Sequence, residues 1–237
     1  MKINKTISLA ILIIMTISCN NKVILSLPSV FSDQMILQRE TEVSFWGKSN
    51  PKEKIIITGS WGSSSSTIAD NSGKWQLKLS TPSAGGPHEV KVNDSKNSIT
   101  YKDVLIGEVW LASGQSNMQW KLNQCKDCID NQDDEIKNAD YNQIRFFNNP
   151  TDLSGTIINS QKWKNVNPKD ASEMEDSFST ENYSAVGYFF AKELYNELNI
   201  PIGIIGSYWG GTRVEAWTSR EKLNEITSVK LPLEEIN

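Results

Sequence analysis

Two glycine-containing segments hold the residue types that nucleophilic chemistry requires. The first is Gly114–Gln115–Ser116–Asn117–Met118, which follows an apolar stretch ending at Ala112. A serine at a sharp turn after a strand stands above the sheet, and the next helix offers free backbone N–H groups to a developing oxyanion. Ser116 is therefore the candidate nucleophile. A Gly-x-Ser turn is also common without catalysis, so this segment alone does not decide the function.

The second segment runs from Gly206 to Trp217 and follows the apolar run Ile202–Ile205. In open α/β sheets, ligands bind beyond the carboxyl ends of the strands. Paired glycines let backbone N–H groups approach a ligand closely, and polar groups at the same edge contribute specificity. The residues concerned are Gly210, Gly211, Thr212, Arg213 and Glu215. The alternative is a glycine-rich turn with a local ion pair between the arginine and the glutamate.

Short strands and turns fill the chain from Val23 to about Tyr101. The segment Trp75–Leu79 alternates apolar and polar residues after a polar turn, and a second turn ends at Pro87. Such strands at regular intervals predict a small antiparallel β-sandwich over residues 23–102.

The pattern changes after Lys102. A buried strand is predicted from Val104 to Ala112 and another at Gln143–Phe147. A helix is predicted from an apolar stripe spaced by four residues, and the sequence around Pro201 ends it before a third strand. The stripe comprises Val186, Phe190, Leu194 and Leu198. Strand, helix and strand at this spacing predict a parallel α/β domain over residues 103–237.

The first 18 residues have the features of a signal peptide. Lys2 and Lys5 precede the apolar run Ile7–Ile17, which is too short to be interpreted first as a membrane span. Ser18 and Cys19 follow where a bacterial lipoprotein signal would be cut, so we expect lipidation of Cys19. Ordinary cleavage and an uncleaved anchor are the alternatives. Each places the chain outside the cytoplasm, in the periplasm or anchored to the outer membrane, with no other membrane contact.

Composition narrows the chemistry further. Cys125 and Cys128 form a CxxC without the further ligands that a zinc site needs. In an oxidising compartment we expect a local disulfide between them, and free thiols are the alternative. The formal net charge is −4, which lacks the basic character of a nucleic-acid-binding protein. We therefore expect no metal, no cofactor and no nucleic-acid partner.

Taken together, the motifs resemble a known family. In chain order they are Leu27–Gln38, Trp46–Gly47, Gly73–Trp75, Gly85–Pro87, Asp103–Trp110, Gly114–Met118 and Gly210–Trp217. This series resembles the sialate O-acetylesterases, which are SGNH-type hydrolases. The resemblance implies a β-sandwich followed by an α/β/α catalytic domain. It also implies a substrate that is an O-acetylated sugar or glycan, with sialic acid esters first and acetylated xylan or another glycan as the rival.

The resemblance further implies roles for individual residues. Ser116 would form the acetyl-enzyme, and oxyanion or substrate contacts would come from residues beside it and from the second segment. Those residues are Gln115, Asn117, Gly210, Gly211, Thr212, Arg213 and Glu215.

The catalytic base is missing from this pattern. The family supplies an Asp-x-x-His pair near the end of its catalytic domain, whereas the one histidine here is His88, in the predicted sandwich. We therefore expect an incomplete SGNH-type domain, with the catalytic Asp and His beyond residue 237. A non-catalytic exported glycan-binding β-sandwich protein and a degenerate fragment are the alternatives.

Overall fold

The computed structural model describes residues 24–122, 129–149, 161–166 and 183–226. The predicted signal peptide, Cys19, Cys125 and Cys128 lie outside these residues. The strands are β1 (Ile36–Gln38), β2 (Glu42–Lys48), β3 (Lys54–Gly59), β4 (Ser64–Ile68), β5 (Lys74–Ser80), β6 (Gly85–Asn93), β7 (Ser98–Gly114), β8 (Tyr141–Asn148), β9 (Lys164–Val166) and β10 (Ile202–Tyr208).

Helices are few and mostly short. They are α1 (Ser116–Gln119), α2 (Gln132–Asn138), α3 (Ala185–Leu198) and α4 (Arg220–Glu225), with a 3-10 helix at Val214–Trp217. Within the described residues, none of them is both long and apolar enough to cross a bilayer.

Most strands belong to one mixed sheet of eight strands. Its order is β4-β3-β6-β7-β10-β8-β9, and β1 also pairs with β7. The beginning of β7 runs antiparallel to β6, whereas its end, from Glu108 to Gly114, runs parallel to β10. We call β4, β3, β6 and the beginning of β7 the antiparallel half, and the end of β7 with β10 and β8 the parallel half. β2 and β5 form a separate antiparallel pair.

The mixed α/β class agrees with the sequence prediction, but a separate N-terminal β-sandwich is not confirmed. β7 runs unbroken across the boundary predicted between residues 102 and 103, so β3, β4 and β6 share a sheet with the parallel strands. The polar Glu108 fits inside this strand because its carboxylate accepts hydrogen bonds from Arg39 at 2.7 Å and Gln38 at 3.1 Å. The domain boundaries themselves remain a prediction.

Two hydrophobic clusters divide the interior. The first fills the N-terminal strands and includes the alternating side chains of β5, whose residues Trp75, Leu77 and Leu79 are buried as predicted. The second lies between α3 and the parallel half, around Phe146 and Ile204. The parallel strands therefore have a core of their own, which fixes the ends from which the candidate site is built.

The helix α3 forms where predicted, but the predicted buried stripe is wrong. Val186, Phe190 and Leu198 are exposed, and the buried residues are Gly187, Tyr188 and Ala191. The buried face is instead the one that carries Gly187, Tyr188 and Ala191, and Gly187 lies against the Phe146 ring on β8. Asn199, with φ of +50°, ends the helix as predicted.

Candidate active site

Ser116 stands where β7 ends and α1 begins. Gly114 makes this turn possible, because its φ of +145° is a conformation that side-chain-bearing residues rarely adopt. Gln115 caps α1, and its carbonyl accepts hydrogen bonds from the N–H groups of Met118 and Gln119 at 3.0 Å each. The Ser116 side chain is half-buried, and the flanking Gln115 and Asn117 are exposed. The serine is therefore presented at the carboxyl edge of the parallel half.

The second glycine segment reaches the same edge. β10 runs beside β7 with Tyr208 opposite Gly114, and the Trp209 N–H donates to the Gly114 carbonyl at 2.9 Å. The next residue, Gly210, lies directly against the serine, since a Cβ added there would be 3.5 Å from both Cα and Cβ of Ser116. The structure thus brings together two segments that are more than 90 residues apart in sequence.

Gln119 fixes this approach, and the sequence predictions did not include it. Its Oε1 accepts a hydrogen bond from the Gly210 N–H at 2.5 Å, and a Cβ on Gly210 would lie 2.7 Å from that oxygen. A side chain at this position would displace the Gln119 amide from its hydrogen bond. In this arrangement the Gly210 N–H is already engaged, so the donors nearest to an oxyanion belong to the first turn of α1. One signal could have indicated Gln119, namely its position one turn after Ser116.

The remaining predicted site residues are less closely gathered. Gly211 is exposed, with open space around it. Thr212 supports the loop itself, because its hydroxyl donates to the Trp209 carbonyl at 2.7 Å and accepts from the Trp217 indole at 2.8 Å. Arg213 is exposed, and no ion pair joins it to Glu215 in the part of the chain that the structure describes.

A third strand adds polar groups that the sequence predictions also missed. Asn148 ends β8, and its side-chain oxygen accepts a hydrogen bond from the Tyr208 hydroxyl at 3.0 Å. Burial raises the pKa of Tyr208, so the phenol stays a neutral donor. The two asparagines that follow the predicted strand Gln143–Phe147 were the available signal, since the carboxyl ends of parallel strands meet at one edge.

No base accompanies Ser116 among the described residues. His88 pairs with Val104 in β6 and β7, ten residues before Gly114 on the same strand, which corresponds to roughly 30 Å at the rise of a β-strand. Its ring instead lies 5.3 Å from that of Trp61, with Nδ1 3.4 Å from the Ser60 hydroxyl. The Ser116 hydroxyl itself has no hydrogen-bond partner within the described ranges.

The described residues were also compared with the ligand sets that hold metal ions. Across the described ranges, no group of three or more His, Cys, Asp or Glu side chains is placed to hold a metal ion.

Comparison with known proteins identifies the relatives of this chain. No protein-family model matches it. A sialate O-acetylesterase from Pongo abelii is 33% identical over 82% of this chain and 39% of the relative, and one from Mus musculus is 30% identical over 91% of this chain and 41% of the relative. This chain is a homologue of the sialate O-acetylesterases.

A solved structure agrees with this relationship. The crystal structure of a carbohydrate acetylesterase from Xanthomonas citri superposes with a TM-score of 0.74 at 34% identity, over 85% of this chain and 44% of that one. This chain spans about two fifths of the length of the sialate O-acetylesterases that it matches. The mixed α/β architecture is therefore shared with an acetylesterase.

Proposed function

We propose that this chain belongs to an exported bacterial carbohydrate O-acetylesterase that uses Ser116 as its nucleophile. The observation that carries the proposal is the contact between Ser116 and Gly210 at the carboxyl edge of the parallel half. The homology to sialate O-acetylesterases supports the acetyl-ester substrate, and sialic acid esters come before other acetylated glycans. Lipidation of Cys19 and a Cys125–Cys128 disulfide remain parts of this proposal.

The proposed reaction is acyl transfer in two steps. The Ser116 hydroxyl attacks the acetyl carbonyl while a base takes its proton, and the resulting oxyanion is stabilised by N–H groups at the start of α1. Collapse expels the sugar hydroxyl, which regains a proton, and leaves an acetyl-enzyme. Water, activated by the same base, then releases acetate and frees the serine.

A histidine base must come from outside these 237 residues if this mechanism holds. His88 is too far along the sheet to reach Ser116, and the sequence contains no second histidine. We propose that a downstream Asp-x-x-His pair in the whole protein supplies it. Sequencing the gene past codon 237 tests this directly, because a stop codon immediately after Asn237 would contradict it.

A second candidate function is non-catalytic glycan binding. It is favoured by one observation, the absence of a base beside Ser116 within the described residues. A degenerate fragment would show neither glycan binding nor acetate release.

The decisive experiment measures acetate release from O-acetylated sialic acid by the longest reading frame that contains this sequence. Ser116→Ala should reduce kcat by about 10³-fold or more, because removing the nucleophile removes the acyl-enzyme route. Ser113→Ala is the matched control, since Ser113 is an exposed serine three residues earlier on β7. Equal turnover by Ser116→Ala and the unmodified protein would refute the nucleophile assignment.

A further inference from the structure

A cavity lies at one end of the β2–β5 sheet and shares no lining residue with the Ser116 site. Its volume is about 630 Å³, and its walls come from β2, β5, the segment Ser26–Pro28 and the turn at Asp70. Cavities of roughly 300–1,000 Å³ are the size that binds small molecules. The size therefore suits a sugar residue or a disaccharide.

One wall of the cavity is a tryptophan that is exposed and yet held in place. Trp46 remains 44% exposed although it lies in the middle of a strand. Phe31 packs edge-on against its ring, with centroids 4.8 Å apart and an angle of 77° between the planes. A preorganised aromatic face binds without a further ordering cost, and an indole offers a large apolar surface to the C–H face of a sugar ring.

Two lysines beside this tryptophan oppose each other. Lys48 and Lys74 are directly paired across the antiparallel strands, and both line the cavity. Like charges at opposed positions destabilise a strand pair. Neither lysine forms an ion pair within the described residues, whereas Lys78, on the same strand, lies 4.0 Å from Glu42. Lys74 is partly balanced by the Asp70 carboxylate, which it attracts, whereas Lys48 has no acidic partner within the described residues.

The one acidic residue in the cavity wall is already engaged. Asp70 accepts hydrogen bonds from the hydroxyl and the N–H of Ser72 at 2.8 and 2.7 Å, and from the Lys74 N–H at 3.0 Å. These bonds, the Ser72 hydroxyl foremost, hold the pKa of Asp70 below its usual range. Two lysines against one carboxylate leave the cavity with a net positive side-chain charge.

We propose that this cavity is a second glycan site, which binds a carboxylated sugar. Trp46 stacks on the sugar ring, and Lys48 and Lys74 pair with the carboxylate. The inference rests on the proposed function only in taking glycans as the ligand class. Such a site would hold an acidic glycan on the enzyme independently of the ester bond at Ser116.

The test uses the full 237-residue chain carrying Ser116→Ala and a probe without an O-acetyl group, the methyl α-glycoside of N-acetylneuraminic acid. Saturation-transfer NMR should show saturable binding, and Trp46→Ala should weaken it at least 10-fold. The double variant Lys48→Gln/Lys74→Gln should lose the preference for this probe over methyl β-galactoside. Thermal unfolding of each variant verifies that it is folded.

Matched controls separate the site from general surface effects. Trp110→Ala removes a tryptophan that is 45% exposed on the parallel half, and Lys78→Gln removes a lysine from the same strand as Lys74. Neither should change binding.

Three results would each overturn the proposal. The first is that Trp46→Ala leaves binding of the probe unchanged, and the second is that the protein with both lysines intact binds the galactoside as tightly as the probe. The third is that equimolar sulfate displaces the probe completely. Because the probe has no ester and the serine is replaced, these results are independent of acetate release. A failed esterase assay with intact binding would therefore reject only the proposed function.

Discussion

Two neighbouring apolar stretches of β7 differ in their surroundings. From Val104 to Gly107 every residue is buried, whereas Trp110 and Leu111, only a few residues later, are 45% and 65% exposed. The antiparallel half is covered by the β2–β5 sheet and the N-terminal segment, which pack into one cluster with it. The parallel half has α3 as its main described cover. An apolar run thus predicts a strand, but its neighbours decide whether the strand is buried.

The two halves should also contribute differently to stability and to catalysis. Ser116 and Gly210 meet beyond the parallel half, where strand ends and turns carry polar groups with few packing partners. The antiparallel half is the better-packed of the two. Substitutions in the two halves should therefore affect different measurements.

The largest effect is expected where the two halves are joined. Arg145 of β8 is 3% exposed and donates to the Gln34 and Asp103 carbonyls at 2.8 and 2.6 Å and to both Asp103 carboxylate oxygens. Arg145→Leu should lower the free energy of unfolding by about 3–5 kcal/mol, chiefly because two carbonyls lose a charged donor, whereas the Asp103 side chain is 42% exposed and stays hydrated. Urea denaturation measures this change.

Arg145→Lys is the control for charge alone. It keeps a cation but cannot form the forked contacts of a guanidinium, so it should fall between Arg145→Leu and the unmodified protein. A loss below about 1 kcal/mol for Arg145→Leu would mean that the two halves do not depend on this contact.

A matched pair of truncations compares the two halves directly. Ile57 on β3 is fully buried, whereas Leu111 on β7 is 65% exposed. Ile57→Ala should cost about 2–5 kcal/mol through lost burial and a cavity, whereas Leu111→Ala should stay within about 0.5 kcal/mol. Thermal and urea unfolding measure both. Similar losses at the two positions would show that Leu111 has a packing partner that its exposure does not reveal.

Local sequence patterns predicted where strands and helices form better than they predicted what each of them packs against. The alternation in Trp75–Leu79 gave the buried face of β5, because period two directly sets which side chains share a face. The stripe through Val186 and Phe190 failed for α3, because the helix turns a different face, with Gly187, Tyr188 and Ala191, toward the sheet. A local sequence pattern does not indicate contacts between residues that are far apart in the chain. Gln119 was missed for the same reason, because its partner Gly210 is distant in sequence.

The candidate site was predicted as two segments, and the structure shows that they meet. Glycines at the ends of two apolar runs indicated the meeting point, since parallel strands end at a common edge. The roles of Thr212 and Asn148 could not be derived, because they depend on side-chain hydrogen bonds within folded loops. Charge and spacing alone also suggested an Arg213–Glu215 ion pair that the described structure does not contain.

A smaller effect is expected from Gln119→Met, which removes the acceptor for the Gly210 N–H but keeps the side-chain size. The free energy of unfolding should fall by about 1 kcal/mol, because one hydrogen bond is lost near the surface. Hydrogen exchange at the Gly210 amide should become faster, and acetate release should fall as the turn loses its hold on α1. Gln115→Met is the control for the exchange measurement, since Gln115 is exposed beside the same serine. Unchanged exchange at Gly210 would contradict the contact.

The smallest effect concerns the pH dependence of the parallel half. Burial raises the pKa of Glu135, but hydrogen bonds from Lys192 at 2.6 Å and Tyr188 at 2.5 Å outweigh it and leave that pKa below its usual range. A carboxylate with a lowered pKa in the folded state stabilises the protein above its ordinary pKa of about 4.3, and this contribution is lost as the pH falls through the folded-state value.

Glu135→Gln should therefore be less stable than the unmodified protein at pH 6, and the difference should shrink towards pH 3. Urea denaturation at several pH values between these limits measures it. Glu193→Gln, at an exposed position on α3, should show no such convergence. Burial also raises the pKa of Tyr188, so its hydroxyl stays a donor throughout this range and the titration belongs to the carboxylate. A constant gap across the pH range would mean that the Glu135 contacts stabilise α3 by packing rather than by charge.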